Sequence, residues 1–216
     1  VIAIARRHWP SLQSIVLFDF LKTIPMKRKN FVMDTLLSLL AAGPLFGFAR
    51  IRSGSDSRTR VGFKVNSGEA RFGKHFKMKG VTLNTLDIKI SGKDTENDLA
   101  VFEQTGLTPK GGPPLHVHPY QDEWFYVIEG EYVFQVGEEK FPLKAGDTIF
   151  LPRDVQHAFV QLTENGRMIV SYLPAGKMEA FFATTDRWTS PPSKEEIAKV
   201  FADHDMKIVG PPLKAD

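Results

Sequence analysis

An all-β fold, a sandwich or barrel followed by a helical tail, is predicted by three features of this 216-residue sequence. From Val81 onward the hydrophobic pattern alternates with a period of two. Short apolar runs recur at close spacing, and Gly130, Gly137, Gly146 and Asn165-Gly166 separate most of them, as turns separate the strands of a barrel or sandwich. After Pro191-Pro192 the spacing of apolar residues lengthens to that of a helix.

Composition sets the outer limits. The chain is 42% hydrophobic and 25% charged, a globular balance that buries a core without covalent staples. It contains no Cys, so disulfides and thiolate metal sites are excluded and any metal is held by nitrogen and oxygen. The net charge of +3 is unevenly placed: residues 1–49 hold six Lys/Arg against two Asp/Glu, and the remainder holds 22 basic and 23 acidic side chains. The domain beyond the leader therefore lacks the basic face that a nucleic-acid partner requires.

In chain order, residues 1–49 read as a leader. Met26-Lys27-Arg28-Lys29-Asn30 looks like a fresh start, and an apolar run from Thr35 to Ala49 follows it. A positive head, an apolar stretch of about 15 residues and small residues near the end describe a secretory signal. Gly47 and Ala49 supply those small residues. We expect Met26 to be the initiator, residues 1–25 to be upstream sequence outside the native protein, 26–49 to be removed, and the protein to be exported to a periplasmic or extracellular space; without such a signal it would be cytoplasmic. A membrane anchor or a packed N-terminal helix is the alternative; the run is short for a span of about 20 residues and holds Gly43-Pro44.

Residues 50–80, rich in Ser, Gly, Arg and Lys, read as a linker and approach segment; His75, among lysines, reads as solvated. Residues 81–174 form the expected barrel. Candidate strands lie at 86–90, 99–105, 115–118, 123–128, 131–136, 140–143, 147–151, 156–162 and 167–173. Lys110-Gly111-Gly112-Pro113-Pro114 is a rigid connection between two of them.

The tail, 175–216, changes character. Lys177 to Phe182 is a short helix candidate. Ser193 with Glu196 three residues later forms a capping box, and Ile197, Val200 and Phe201 share one helical face. This helix is expected to cover the outside of the barrel. His204, near its end, receives no catalytic role.

The chemistry concentrates in His116-Val117-His118-Pro119-Tyr120-Gln121-Asp122-Glu123, together with His157. In a strand, side chains two apart leave the same face, so His116 and His118 can enter one cavity. Three imidazoles and a carboxylate are a donor set for a borderline divalent metal, with positions left open for substrate.

These residues stand at the spacing of two known motifs. Gly112, His116, His118, Glu123 and Gly130 fit the first cupin motif, although the leading Gly stands slightly close to the first His. Gly146, Pro152 and His157 fit the second. Asp154 replaces the usual Gly, and Gln161 stands where Asn is frequent. The sequence resembles the cupin superfamily, and its tail resembles that of bacterial single-domain quercetin-dioxygenase-like members. The resemblance implies a double-stranded β-helix holding one divalent transition metal (Fe, Mn, Ni, Cu, Co or Zn) on His116, His118, Glu123 and His157. It implies a small-molecule substrate, with dioxygen as a further partner.

Strand parity supplies candidate pocket walls. Phe125 and Val127 share the face of Glu123, and Phe159 and Gln161 that of His157; Phe134 is a plausible inward aromatic. Each Phe taken singly suits plain core packing equally well. Together they suit an aromatic or enol-type substrate, with Glu123 a ligand that also accepts the substrate proton. Metal-assisted isomerisation, the alternative enzyme class, calls for a more polar wall than these positions offer; a non-catalytic ligand-binding protein is the other alternative. Trp124 and Tyr126 point outward, where they fit a second sheet or a homodimer interface.

Overall fold

The computed structural model describes residues 58–106 and 109–215, and the expected leader, signal and initiator lie outside them. Among the described residues eleven strands make two antiparallel sheets. They are β1 (His75–Met78), β2 (Asn84–Ile90), β3 (Ala100–Gly106), β4 (Pro114–Val117), β5 (Asp122–Glu129), β6 (Glu131–Val136), β7 (Glu139–Lys144), β8 (Thr148–Leu151), β9 (His157–Gln161), β10 (Gly166–Leu173) and β11 (Lys207–Pro212). One sheet runs β1-β2-β3-β10-β5-β8 and the other β11-β4-β9-β6-β7. Two helices, α1 (Met178–Asp186) and α2 (Lys194–Asp203), lie between β10 and β11. Among the described residues no helix is long and apolar enough to cross a membrane.

Each expected strand is present, because period two meets a two-sided environment. β3 alternates buried and half-buried positions without interruption. β5 buries Glu123, Phe125 and Val127 while exposing Trp124 and Tyr126, which stack on the outer face with ring centroids 6.3 Å apart. The inward aromatics pack as a cluster: Phe134 lies 5.1 Å from Phe125 and 5.2 Å from Phe159. Gly130 turns β5 into β6 at φ +90°, and a Cβ there would press on the Asn165 carbonyl oxygen at 2.6 Å, so geometry and space both demand glycine.

The structure departs from the sequence expectations in three places. The first sheet begins before Val81, with β1 paired to β2 from His75↔Asp87 to Met78↔Asn84. The period is hidden there because charged Lys74, Lys77 and Lys79 surround a short strand whose buried positions are only Phe76 and Met78. β11 is a strand despite Gly210, Pro211 and Pro212, and it pairs with β4 through Lys207↔Val117 and Ile208↔His116. It is an edge strand, where a residue without an N–H is tolerated.

The third departure concerns the tail. α2 forms with the expected capping box: the Ser193 hydroxyl accepts from the Glu196 N–H (3.1 Å), and the Glu196 carboxylate accepts from the Ser193 N–H (2.7 Å). It does not cover the outside of the barrel. Its Phe201, 1% exposed, packs edge-on against Phe181 of α1 and against His116, at 5.0 and 5.5 Å. The apolar face seen in the sequence is real, but it seals the end of the barrel where the histidines lie.

Candidate metal centre

Four side chains from three strands and a loop meet here. His116 and His157 are directly paired across β4 and β9. His118 lies just past the end of β4, where its carbonyl accepts the Asp154 N–H at 3.0 Å. Asp154 holds φ +62°, a left-handed turn that Asp tolerates better than most residues; this explains why Asp can replace Gly there. Glu123 stands near the start of β5, between Leu151 of β8 and Tyr172 of β10. Before β4, in the connection from β3, the Gly112 Cα lies so close to the Phe159 carbonyl that a Cβ would collide with it.

All four residues are buried, and one ligand atom from each can be chosen so that all lie within 4.8 Å of one another. The orientation of the rings is set by their outer nitrogens. His116 Nδ1 lies 2.8 Å from the Pro114 carbonyl oxygen, His157 Nδ1 2.9 Å from that of Val155, and His118 Nδ1 3.3 Å from the Gln121 side-chain oxygen. Each partner is an acceptor, so each Nδ1 carries the proton and each Nε2 presents a lone pair. Gln121 is itself fixed, since its amide nitrogen donates to the Pro174 and Ala175 carbonyls at 3.0 and 2.9 Å.

The inward atoms are the test of fit. His118 Nε2, His157 Nε2 and Glu123 Oε1 are buried without a hydrogen-bond partner. Glu123 Oε1 nevertheless lies 2.7 Å from His118 Nε2 and 3.5 Å from His157 Nε2. Proximity without hydrogen-bond geometry, between atoms that all offer lone pairs, is the arrangement a cation resolves. The donor set, three imidazole nitrogens and one carboxylate oxygen, matches what a borderline divalent metal accepts.

Without a cation the charges settle unevenly. Burial, reinforced by His157 and His118, holds the His116 imidazole well below its usual range. Burial also opposes protonation of His118, but the Glu123 charge beside it outweighs this and raises it. Burial pushes Glu123 upward, and the neighbouring His118 and His157 more than reverse the push, leaving it well below the carboxylate range. Glu123 is thus ionised, ready to ligate.

The cavity around the centre has a volume of about 40 Å³, room for only a few waters, so it is narrow. Phe125 and Phe159 stand in its wall; Val127, Phe134 and Gln161 do not. Val127 and Phe134 share the expected inward parity but lie deeper, fully buried in the core. Gln161 turns aside to donate to the Thr163 and Glu164 carbonyls at 2.8 and 3.2 Å, filling space beside Gly106 and Gly166. Parity identifies the inner face of a strand; it does not say at what depth the cavity lies.

Sequence reasoning missed the rest of the wall. Met178, Phe181, Phe182 and Phe201 come from the helices, and Thr82, Asn84, Gln104 and Tyr172 supply polar groups. Burial, then the Glu123 charge, hold the Tyr172 phenol far above its usual range, so it remains a neutral O–H donor. The available signal was parity: Asn84 and Gln104 share the inward parity of the apolar residues of their strands. Among the described residues no Lys, Arg or Asp lines the cavity, and the Arg153 guanidinium is held outside by Asp122, with the Arg153 N–H donating to Asp122 at 2.9 Å.

Comparison with known proteins agrees with this arrangement. Residues 105–172 match the cupin domain family, a segment that contains all four converging side chains. Among curated proteins, the chain is 37% identical over 60 residues to the polyketide synthase CurC of Streptomyces cyaneus, covering 27% of this chain and 39% of that one. It is 30% identical over 93 residues to the quercetin 2,3-dioxygenase of Bacillus subtilis, covering 43% and 27% respectively. The matches thus span well under half the length of these relatives. Among solved structures, an RmlC-like cupin from Shewanella frigidimarina is 20% identical, with a TM-score of 0.46, over 56% of this chain and 98% of that one. The matched segment, residues 105–172, is a cupin domain, and it carries both halves of the barrel motif and every side chain that converges at its centre.

Proposed function

We propose that this protein is a metal-dependent dioxygenase that cleaves a small enol-type molecule. The observation that carries the reading is the convergence of inward-facing donor atoms with no protein partner in a cavity free of cationic side chains. A divalent ion there would be held by His116, His118, Glu123 and His157. When bound it supplies Lewis acidity and open coordination positions for substrate oxygen. With Glu123 ionised, such a centre would have a charge of about +1, and a neutral enol that hands its proton to Glu123 would leave that total unchanged; a dianion finds no Lys or Arg in the described lining to balance its charge. The partial likeness to a quercetin 2,3-dioxygenase supports oxidative cleavage.

The residues divide the work. His116, His118 and His157 fix the geometry through their outer nitrogens. Glu123 accepts the enol proton as the substrate docks. Phe125, Phe159 and Phe201 exclude water from the reacting carbons. Both atoms of dioxygen enter the products as one carbon–carbon bond breaks, so no external reductant is needed. The narrow cavity favours a diketone-sized substrate over a flavonol, which would require displacement of the α1–α2 cap.

The polar wall of Asn84, Gln104 and Tyr172 favours one other reading, metal-assisted isomerisation. Oxygen separates the two. With the protein loaded in turn with Fe(II), Mn(II), Co(II) and Ni(II), acetylacetone is expected to drive metal-dependent oxygen uptake with one-to-one stoichiometry. Substrate conversion that proceeds equally without oxygen, or tight binding without turnover, would overturn the dioxygenase reading.

A further inference from the structure

Asn84 and Gln104 are 7% and 6% exposed; no hydrogen bond joins either side-chain amide to another described residue, and neither amide is among the sealed, partnerless polar atoms of the interior. Both line the metal cavity. They belong to neighbouring strands: Asn84 is paired with Gly106, and Gln104 with Leu86, two positions along in each case. That makes them diagonal neighbours on the inner face. Amides that line a cavity without a protein partner leave their donors and acceptors to be completed by water or by a ligand in that cavity. Neither residue can be a metal ligand by position. Along β10 and β3, Glu123 is level with Tyr172 and Ala100, whereas Gln104 stands four residues further on, roughly 13 Å along the strand before side chains reach back. Tyr172, with its ring 5.9 Å from that of His118, stands nearer the centre and offers a hydroxyl.

From this arrangement we infer that Asn84 and Gln104 form a polar subsite for the uncharged hydroxyl or carbonyl end of an arm on the substrate, while the enol end docks at the metal centre. The inference rests on the enol-dioxygenase reading and deepens it: the substrate is a small enol-type anion with a neutral, oxygen-bearing arm. Amides suit such an end because each offers two donors and an acceptor. Thr82, whose hydroxyl contacts the Met78 sulfur at 3.4 Å, borders the same subsite.

The test uses two matched β-diketones. Both carry an acetyl group at one end of the diketone; one ends in an ethyl group and the other in a hydroxyethyl group. Binding to the metal-loaded protein is measured by calorimetry under anaerobic conditions. The hydroxyethyl compound is expected to bind about tenfold tighter, the worth of one well-made hydrogen bond near the top of its usual range. Asn84→Leu and Gln104→Met should each reduce that preference, and the double variant should abolish it. Metal stoichiometry should stay unchanged in all of them. Their thermal midpoints should not fall below that of the parent, because no hydrogen bond to the protein is lost; a structural role would lower them. Equal affinity for both diketones in the parent, or a preference that survives the double variant, would overturn the subsite while leaving the dioxygenase reading intact. If neither diketone binds the loaded protein, the enol reading fails and the subsite falls with it.

Discussion

At the scale of single residues, the centre depends on acceptors behind its histidines as much as on the histidines. His157→Ala removes one of four converging donors, and the purified protein should no longer retain stoichiometric metal after dialysis against a weak chelator, as elemental analysis would show. Gln121 makes a subtler case. It orients His118 by accepting from Nδ1 while its own nitrogen is tied to the Pro174 and Ala175 carbonyls. Gln121→Leu should leave the fold intact and weaken metal affinity about 10- to 100-fold, the usual cost of losing such a partner; competition with a chelating dye measures it. Unchanged affinity would show that packing alone orients the ring. The ligands were legible in the sequence because donor chemistry and strand parity are local properties. Gln121 stood within the same motif, but nothing local marks it as the residue that spans to the loop after β10.

Elements show how the tail joins the site. The sequence reveals that α2 exists and which of its faces is apolar, since capping and period are properties of ten consecutive residues. Its docking surface is not, because an apolar face matches the outside of a barrel as well as its mouth. Here Phe201 fills the space between His116 and Phe181. Phe201→Ala should cost about 3–5 kcal/mol in denaturant unfolding, as expected for emptying a fully buried aromatic site. A change under about 1 kcal/mol would imply that the helix packs loosely on the mouth. β11 shows the converse: Gly210, Pro211 and Pro212 suit a central strand poorly, and the edge position makes them tolerable.

Across the whole molecule, the segment from residue 58 to β1 is not a free linker. Asp94, on the turn between β2 and β3, gathers it in. Its carboxylate accepts from Arg71 at 2.8 and 3.1 Å, from the Thr59 hydroxyl at 3.2 Å and from the Ser91 N–H at 3.0 Å. The Arg71 hydrogen bonds are the main reason its carboxyl titrates below the usual value, ahead of the opposing effect of burial. A depressed folded value means that the unfolded chain holds the proton more tightly. Asp94 therefore contributes stability that is fully present above about pH 4, the ordinary carboxylate range, and is lost as pH falls through its lowered value. Asp94→Asn should lower the thermal midpoint at neutral pH and flatten its decline between about pH 5 and pH 3. An acid limb of identical steepness in parent and variant would remove Asp94 from that role.

The sequence by itself determined the strands from residue 84 to residue 173, the two helices, the cap on α2 and the four donor side chains, because each rests on the chemistry of neighbours in the chain. Tertiary structure alone decided the cavity: its depth, the helices that close it, and the amides of Asn84 and Gln104 in its wall. A residue's parity and polarity are carried along the chain, but the distance of its side chain from a point inside the barrel depends on which strands lie beside it, and that is settled only when the sheets close.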